Sequence, residues 1–355
     1  MKKAIVILIL VAIFALTSIL AACPAPKKYY ITYNLIGGTN SPDNVGVFYE
    51  KDLNVTLYAP TKDGYTFGGW YTDKDFTNAI TEITEAKTYT LYAKWLNANG
   101  RILTFEDNFD GDELNTDVWS FETGGGGWGN RELQTYRASN ATVGVNGEGL
   151  NVLQIKAEKL SAKVDNSDYA SARINTKESF AQTYGRFEAR IKLPAVQGMW
   201  PAFWLLPASN TYNPGGGMWP FNGEIDIMEA AGRIPNQFGT TIHYGAAYPH
   251  NVHFGQDNVI STPISEWHVY AVEWTEGKID WYIDDECVFT AESVNWFTPN
   301  VDKSENPNAP FDQDFYIILN LAVGGWYDHY NGEDVKPTDD FTSAVMEVDY
   351  VRVFK

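Results

Sequence analysis

The chain has 355 residues, 44% hydrophobic and 20% charged, with 26 Lys plus Arg against 45 Asp plus Glu for a net charge of −19. That length and composition exclude a disordered tail, a collagen-like fibre and a single small module, and two cysteines exclude a disulfide scaffold. The acidic balance argues against nucleic acid as a partner, because binding a duplex needs cations to displace phosphate counterions. Aromatics reach 15%, with 12 Trp and 21 Tyr, rings that suit both packed β-structure and surfaces that stack on sugars.

Lys2 and Lys3 precede an apolar run from Ala4 to Ala22, broken only by Thr17 and Ser18. A basic start, an apolar stretch and small residues before a break predict an export signal over residues 1–22. The run is also long enough to cross a bilayer as an uncleaved anchor. Leu20-Ala21-Ala22-Cys23 resembles the lipobox of bacterial lipoproteins. The resemblance implies acylation of Cys23 and a lipid anchor in the membrane at the cell surface or envelope; a plain signal peptide and secretion is the alternative. Cys287 is then the only thiol of the mature chain. Residues 23–28, with Pro24 and Pro26, form a stiff polar leader.

Charge divides what remains. Residues 24–96 hold 7 basic and 8 acidic side chains, whereas 97–355 hold 17 and 37. The first stretch is β-like: Tyr30–Leu35 runs into Gly37-Gly38, Asn54–Tyr58 follows, and Lys62-Asp63-Gly64 makes a turn before a last strand over Tyr89–Trp95. Asn34–Thr39, Gly64–Tyr71 and Leu91–Trp95 resemble the Listeria–Bacteroides repeat of bacterial surface proteins, over residues 29–96. The resemblance implies a small β-grasp-like module that serves as a spacer or attachment unit. Trp70 and Trp95 are assigned to its core in preference to stacking on sugar.

Leu96-Asn97-Ala98-Asn99-Gly100 has the composition of a seam, and residues 97–102 are taken as a linker. Over 103–355, short β-rich runs such as Gly185–Ile191 and Ile279–Asp284 alternate with Gly, Asn and Pro turns, and no long helical period occurs. The prediction is an all-β chain whose larger part is a jelly-roll sandwich. All catalytic equipment is expected in this part, which should therefore act without residues 24–96.

The densest chemistry lies in Gly223-Glu224-Ile225-Asp226-Ile227-Met228-Glu229. Strand side chains alternate, so Glu224 and Asp226 share one face while Ile225 and Ile227 take the other. Glu229 stands an odd number of positions from Glu224, and a regular strand would push it into the core at a cost of several kcal/mol. A one-residue bulge between Asp226 and Glu229 removes the conflict and aligns three acids. Carboxylates about 5 Å apart repel by roughly 3 kcal/mol at an effective dielectric near 20. In glycoside hydrolysis that repulsion is useful, since it raises one carboxyl's pKa until it can donate a proton. Three acids along one strand form a line, which a calcium ion needing 6–8 oxygens does not favour.

Glu-Ile-Asp-Ile-Met-Glu is similar to the signature of glycoside hydrolase family sixteen in its bulged, laminarinase-like form. Trp128–Gln134, Tyr169–Ile174, Gly185–Arg190, Gly198–Trp204, Thr241–Gly245 and Asn320–Gly325 continue the resemblance through 103–355. It implies a concanavalin-like jelly roll and a retaining endo-β-1,3-glucanase, with β-glucan polysaccharide as substrate and no cofactor for catalysis. Alternatives are a relative cutting mixed-linkage β-glucan or a marine galactan, and an inactive glucan-binding surface protein. Glu224 would be the nucleophile, Glu229 the general acid and then base, and Asp226 a tuner between them.

The same resemblance makes Trp200, Trp204 and Trp219 candidates for a stacking platform, with core packing the alternative for Trp204. Asn130 and Arg173 become candidate partners of sugar hydroxyls, and His243 is placed near the acid/base unless it is a core histidine. It also implies a structural calcium ion held by the carbonyls of Asn108 and Gly149 and the carboxylate of Asp349. Tyr327-Asp328-His329 departs from the family's loops and leaves the outer subsites open.

Overall fold

The computed structural model describes residues 26–216 and 219–355; the expected signal peptide and Cys23 lie outside them. Two sheets dominate. The site sheet has seven strands in the order Asn251–Val259, Gln237–Gly245, Glu224–Glu229, Met199–Pro207, Phe315–Val323, Arg173–Asn175 and Ser120–Glu122. All its neighbours are antiparallel.

The back sheet includes Ser343–Phe354, Gly185–Lys192, Trp267–Thr275, Lys278–Ile283 and Glu286–Glu292 in neighbouring order. Alternation explains how the sheets meet. In Gly185–Lys192, Phe187, Ala189 and Ile191 are fully buried, and they join one apolar cluster with Phe203, Leu205, Ile225, Ile227 and Leu319 of the site sheet. The sandwich predicted from the short alternating runs is the architecture found.

The small module consists of Lys28–Asn34, Val47–Tyr49, Thr66–Tyr71, Tyr89–Leu96 and shorter strands; Lys28–Asn34 runs parallel to Tyr89–Leu96. Trp70 and Trp95 are buried at 3% and 1% exposure. Their indole N–H groups donate to the carbonyls of Tyr58 and Leu35 at 3.0 and 2.7 Å, so both serve the core.

The expected linker is corrected. Asn97 and Arg101 close a tight turn, in which the Asn97 side-chain oxygen accepts from the amides of Asn99 and Arg101 at 3.0 and 2.9 Å. Beyond it Ile102–Asp107 folds back on Tyr89–Leu96, pairing Leu103 with Trp95, and also pairs with Ser343–Phe354. The module's sheet and the back sheet are therefore continuous. Leu103 and Phe354 are buried in the same cluster as Trp70, Leu91 and Trp95. Lys62 of the module bonds to Glu106, whose other oxygen accepts from Arg352 Nε at 2.9 Å. The side chains of Lys62 and Glu106 are only 6% and 2% exposed, a burial that a freely hinged spacer would not give.

Candidate active site

The bulge sits where three aligned acids require it. Trp204 pairs with Asp226 and Phe203 with Met228, so two steps on the acidic strand match one on its neighbour. On the other side Asp226 faces Thr241 and Glu229 faces Gly239. Ile225, Ile227 and Met228 all point into the core, and the three acids share the opposite face. Gly223, which leads into the strand, has φ +85°, and a Cβ there would lie 2.7 Å from the Phe311 ring. Below the sheet, the buried Trp281 indole donates to the Asp226 carbonyl at 2.8 Å and fixes the strand from the core side.

Each glutamate is held by an indole. Trp219 Nε1 donates to Glu224 Oε2 at 2.8 Å, and Trp200 Nε1 donates to Glu229 Oε1 at 2.9 Å. His243 Nε2 lies 3.2 Å from Asp226 Oδ2 and 3.9 Å from Glu224 Oε1. The approach to Asp226 is off the hydrogen-bond line, and that oxygen has no hydrogen-bond partner among the described residues. His243 pairs in register with Glu224 and lies close enough to Glu229 to oppose the rise in its pKa as well.

Burial pushes all three carboxyls up. Glu224 and Glu229 each rise to about 8, through desolvation first and the charge of Asp226 second, with His243 and the indole donors opposing the shift. Asp226 is raised well above the usual carboxylate range by burial. The cluster therefore retains a proton at neutral pH, as general-acid chemistry demands.

The same shifts cost stability. A carboxyl whose folded pKa exceeds its unfolded value stabilises the fold fully below the unfolded value, near 4.5, and loses that contribution as pH climbs towards about 8. Glu229→Gln is expected to raise stability by a few kcal/mol, order of magnitude, at pH ~8 and to change it little near pH ~4. Thermal melts of the two proteins across that window check it; a gain confined to acid pH would contradict the sign.

The other candidate residues surround this row with corrections. Trp219 is 40% exposed, with its ring 5.2 Å from that of His243. Trp200 is only 7% exposed, because Tyr327 stacks on it at 5.1 Å and 12°. Its work is to hold Glu229. Trp326, 41% exposed and 5.9 Å from Trp200, provides a platform that sequence reasoning missed. Its indole donates to Asn130 Oδ1 at 3.1 Å, which ties Asn130 to the same wall. Asn130 in turn donates to the buried Glu132, which also accepts from Gln134 and Tyr136.

Trp204 donates to Asn320 Oδ1 at 2.7 Å and has one face covered by Arg173, which lies between it and Trp128. Arg173 is paired with Glu122 at 2.7 Å, so its charge is met within the chain. Trp128 itself adopts a left-handed conformation, with φ 50°.

On the back sheet, Asp349 falls at the register shift between Val348 and Tyr350, and its Oδ2 pairs with Arg190 Nη1 at 2.7 Å. Arg352 donates to the Asn108 side-chain oxygen at 3.0 Å. The donor set fits calcium only through the remaining Asp349 oxygen and the two carbonyls, so water would supply most of 6–8 ligands.

A row of proton-sharing carboxyls on a β-sandwich face, flanked by exposed indoles, defines a glycoside hydrolase. Residues 133–320 match the model for glycosyl hydrolases family 16, and residues 29–94 match the Listeria-Bacteroides repeat domain. The chain is 38% identical to a beta-glucanase of Rhodothermus marinus, over 71% of this chain and 85% of that protein. It is 40% identical to glucan endo-1,3-beta-glucosidase A1 of Niallia circulans, spanning 72% of this chain but 38% of that longer protein. The crystal structure of the laminarinase from Rhodothermus marinus superposes with a TM-score of 0.60 at 38% identity, covering 71% of this chain and 96% of that one. The chain belongs to glycosyl hydrolases family 16.

Proposed function

We propose that the chain is a retaining endo-β-1,3-glucanase. The observation that carries this reading is the bulge that sets Glu224, Asp226 and Glu229 on one face, each glutamate gripped by its own tryptophan. Glu224 attacks the anomeric carbon while Glu229 gives its proton to the departing glycosidic oxygen. Glu229, now a base, takes a proton from water, whose oxygen displaces Glu224 from the anomeric carbon and restores both groups. Asp226, between them and with an unpartnered oxygen, sets how the cluster's proton is shared. The relatives' names support β-1,3-glucan as the substrate. A product profile over laminarin, lichenan, agarose and carrageenan tests the assignment. Laminarin should yield a ladder of oligosaccharides; predominant cleavage of a galactan would overturn the substrate and spare the mechanism.

Attachment of Cys23 to lipid is part of this proposal, supported by Leu20-Ala21-Ala22-Cys23. Cys23→Ala is expected to move the protein out of the membrane fraction or leave its precursor uncut. Failure of labelled fatty acid to enter the unmutated protein would remove the anchor.

A calcium ion at Asp349, Asn108 and Gly149 is proposed as weakly bound and structural, given the competition from Arg190. Calcium should raise the melting temperature over that in chelator, and Asp349→Asn should abolish the difference. Identical melts with calcium and chelator would exclude the site.

A further inference from the structure

We infer that Tyr327 is a positioning residue for Glu229, seated in a slot that exists because position 239 is glycine; the inference rests on the proposed acid/base role of Glu229. Tyr327 reaches the glutamate by two routes. Its ring stacks on Trp200 at 5.1 Å and 12°, and the Trp200 indole is the donor that holds Glu229 Oε1 at 2.9 Å. Its hydroxyl donates to the Glu229 main-chain carbonyl at 3.2 Å. One side chain thereby fixes both the backbone of the acid and the partner of its carboxyl.

The slot is built across two strands. Glu229 and Gly239 are register partners, and the Tyr327 hydroxyl lies over that pair. A Cβ at position 239 would stand 2.6 Å from the hydroxyl oxygen, closer than unbonded atoms approach. Any side chain there must lift Tyr327 off the acid. Burial and the neighbouring Glu229 keep the phenol pKa far above its ordinary value, so the hydroxyl stays protonated and remains a donor at every working pH.

The next residue locks the loop. Asp328 is 5% exposed and accepts from Arg233 Nε through both oxygens, at 2.9 and 3.0 Å. Arg233 follows closely on the acidic strand, so the loop that carries Tyr327 is tied to the chain segment that carries Glu229. Tyr327 packs on the indole and the backbone that hold Glu229, and burial is the first cause of that carboxyl's raised pKa.

The test compares laminarin with a dinitrophenyl β-laminarioligoside, whose leaving group departs with little protonation. In the full chain, Tyr327→Ala and Gly239→Ala should lower kcat on laminarin by on the order of ten- to a hundredfold, with KM changed less. The loss on the dinitrophenyl substrate should be smaller. The basic limb of the pH profile should move to lower pH, because water then reaches Glu229 and its pKa falls. Tyr327→Phe keeps the ring on Trp200, retains packing and should fall between these variants and the parent. A purely structural role would move melting temperatures and leave the limb and the substrate ratio unchanged. Equal losses on both substrates with an unmoved limb would overturn the inference. Glu229→Ala in the same series separates the two claims: if it shows no dependence on leaving group, the acid/base assignment fails and takes the inference with it. If it does and the Tyr327 and Gly239 variants do not, the inference alone fails.

Discussion

Glu224→Ala and Glu229→Ala should each lower hydrolysis of laminarin roughly a thousandfold or more, since each removes an indispensable step. An activated aryl substrate with added azide then distinguishes them. Without Glu229 the aryl group still leaves and Glu224 still forms the glycosyl-enzyme, so azide replaces water and gives a β-glycosyl azide. Without Glu224 azide attacks from the vacated side and gives the α-azide. Asp226 lies between the two glutamates and is assigned neither role, so Asp226→Asn should slow the enzyme without changing product configuration. The anomeric configuration of each azide is the measurement. An α-product from Glu229→Ala with a β-product from Glu224→Ala would reverse the two roles.

Deleting residues 24–96 should cost the remaining chain much of its thermal stability, although every acid is downstream. Leu103 and Phe354 would lose the cover of Trp70, Leu91 and Trp95. Fully burying a side chain of that size is worth about 1.5–3 kcal/mol, so two of them give roughly 3–6 kcal/mol. At roughly 2–4 °C per kcal/mol for a domain of this order, the melting temperature should drop by on the order of 10 °C. The pairing of Ile102–Asp107 with Tyr89–Leu96 also predicts that the intact chain melts in one transition. Two separate transitions, or a truncated chain as stable as the parent, would restore the picture of an independent spacer.

The acidic strand was legible because a period of two and the cost of burying a charged glutamate leave one solution. Ile225 and Ile227 define the inward face, and Glu229 can join Glu224 and Asp226 only across a bulge. The tryptophans were less legible, because exposure depends on what covers a ring. Trp200 is masked by Tyr327 from a loop more than a hundred residues away, while Trp326 escapes cover. Asn97-Ala98-Asn99-Gly100 misled for a different reason. The same turn-forming residues suit a hairpin and a hinge, and only the pairing of Leu103 with Trp95 decides between them. The neighbour of Asp349 was equally hidden, since Arg190 meets it through the pairing of Gly185–Lys192 with Ser343–Phe354.

Retention at the anomeric carbon is the claim on which the roles of Glu224 and Glu229 both depend. Proton NMR of laminarin in the first minutes of digestion by the unmutated enzyme reads it directly, before the new reducing ends equilibrate. Double displacement predicts that the β-anomer appears first and the α-anomer follows by mutarotation; an α-anomer appearing first would contradict it.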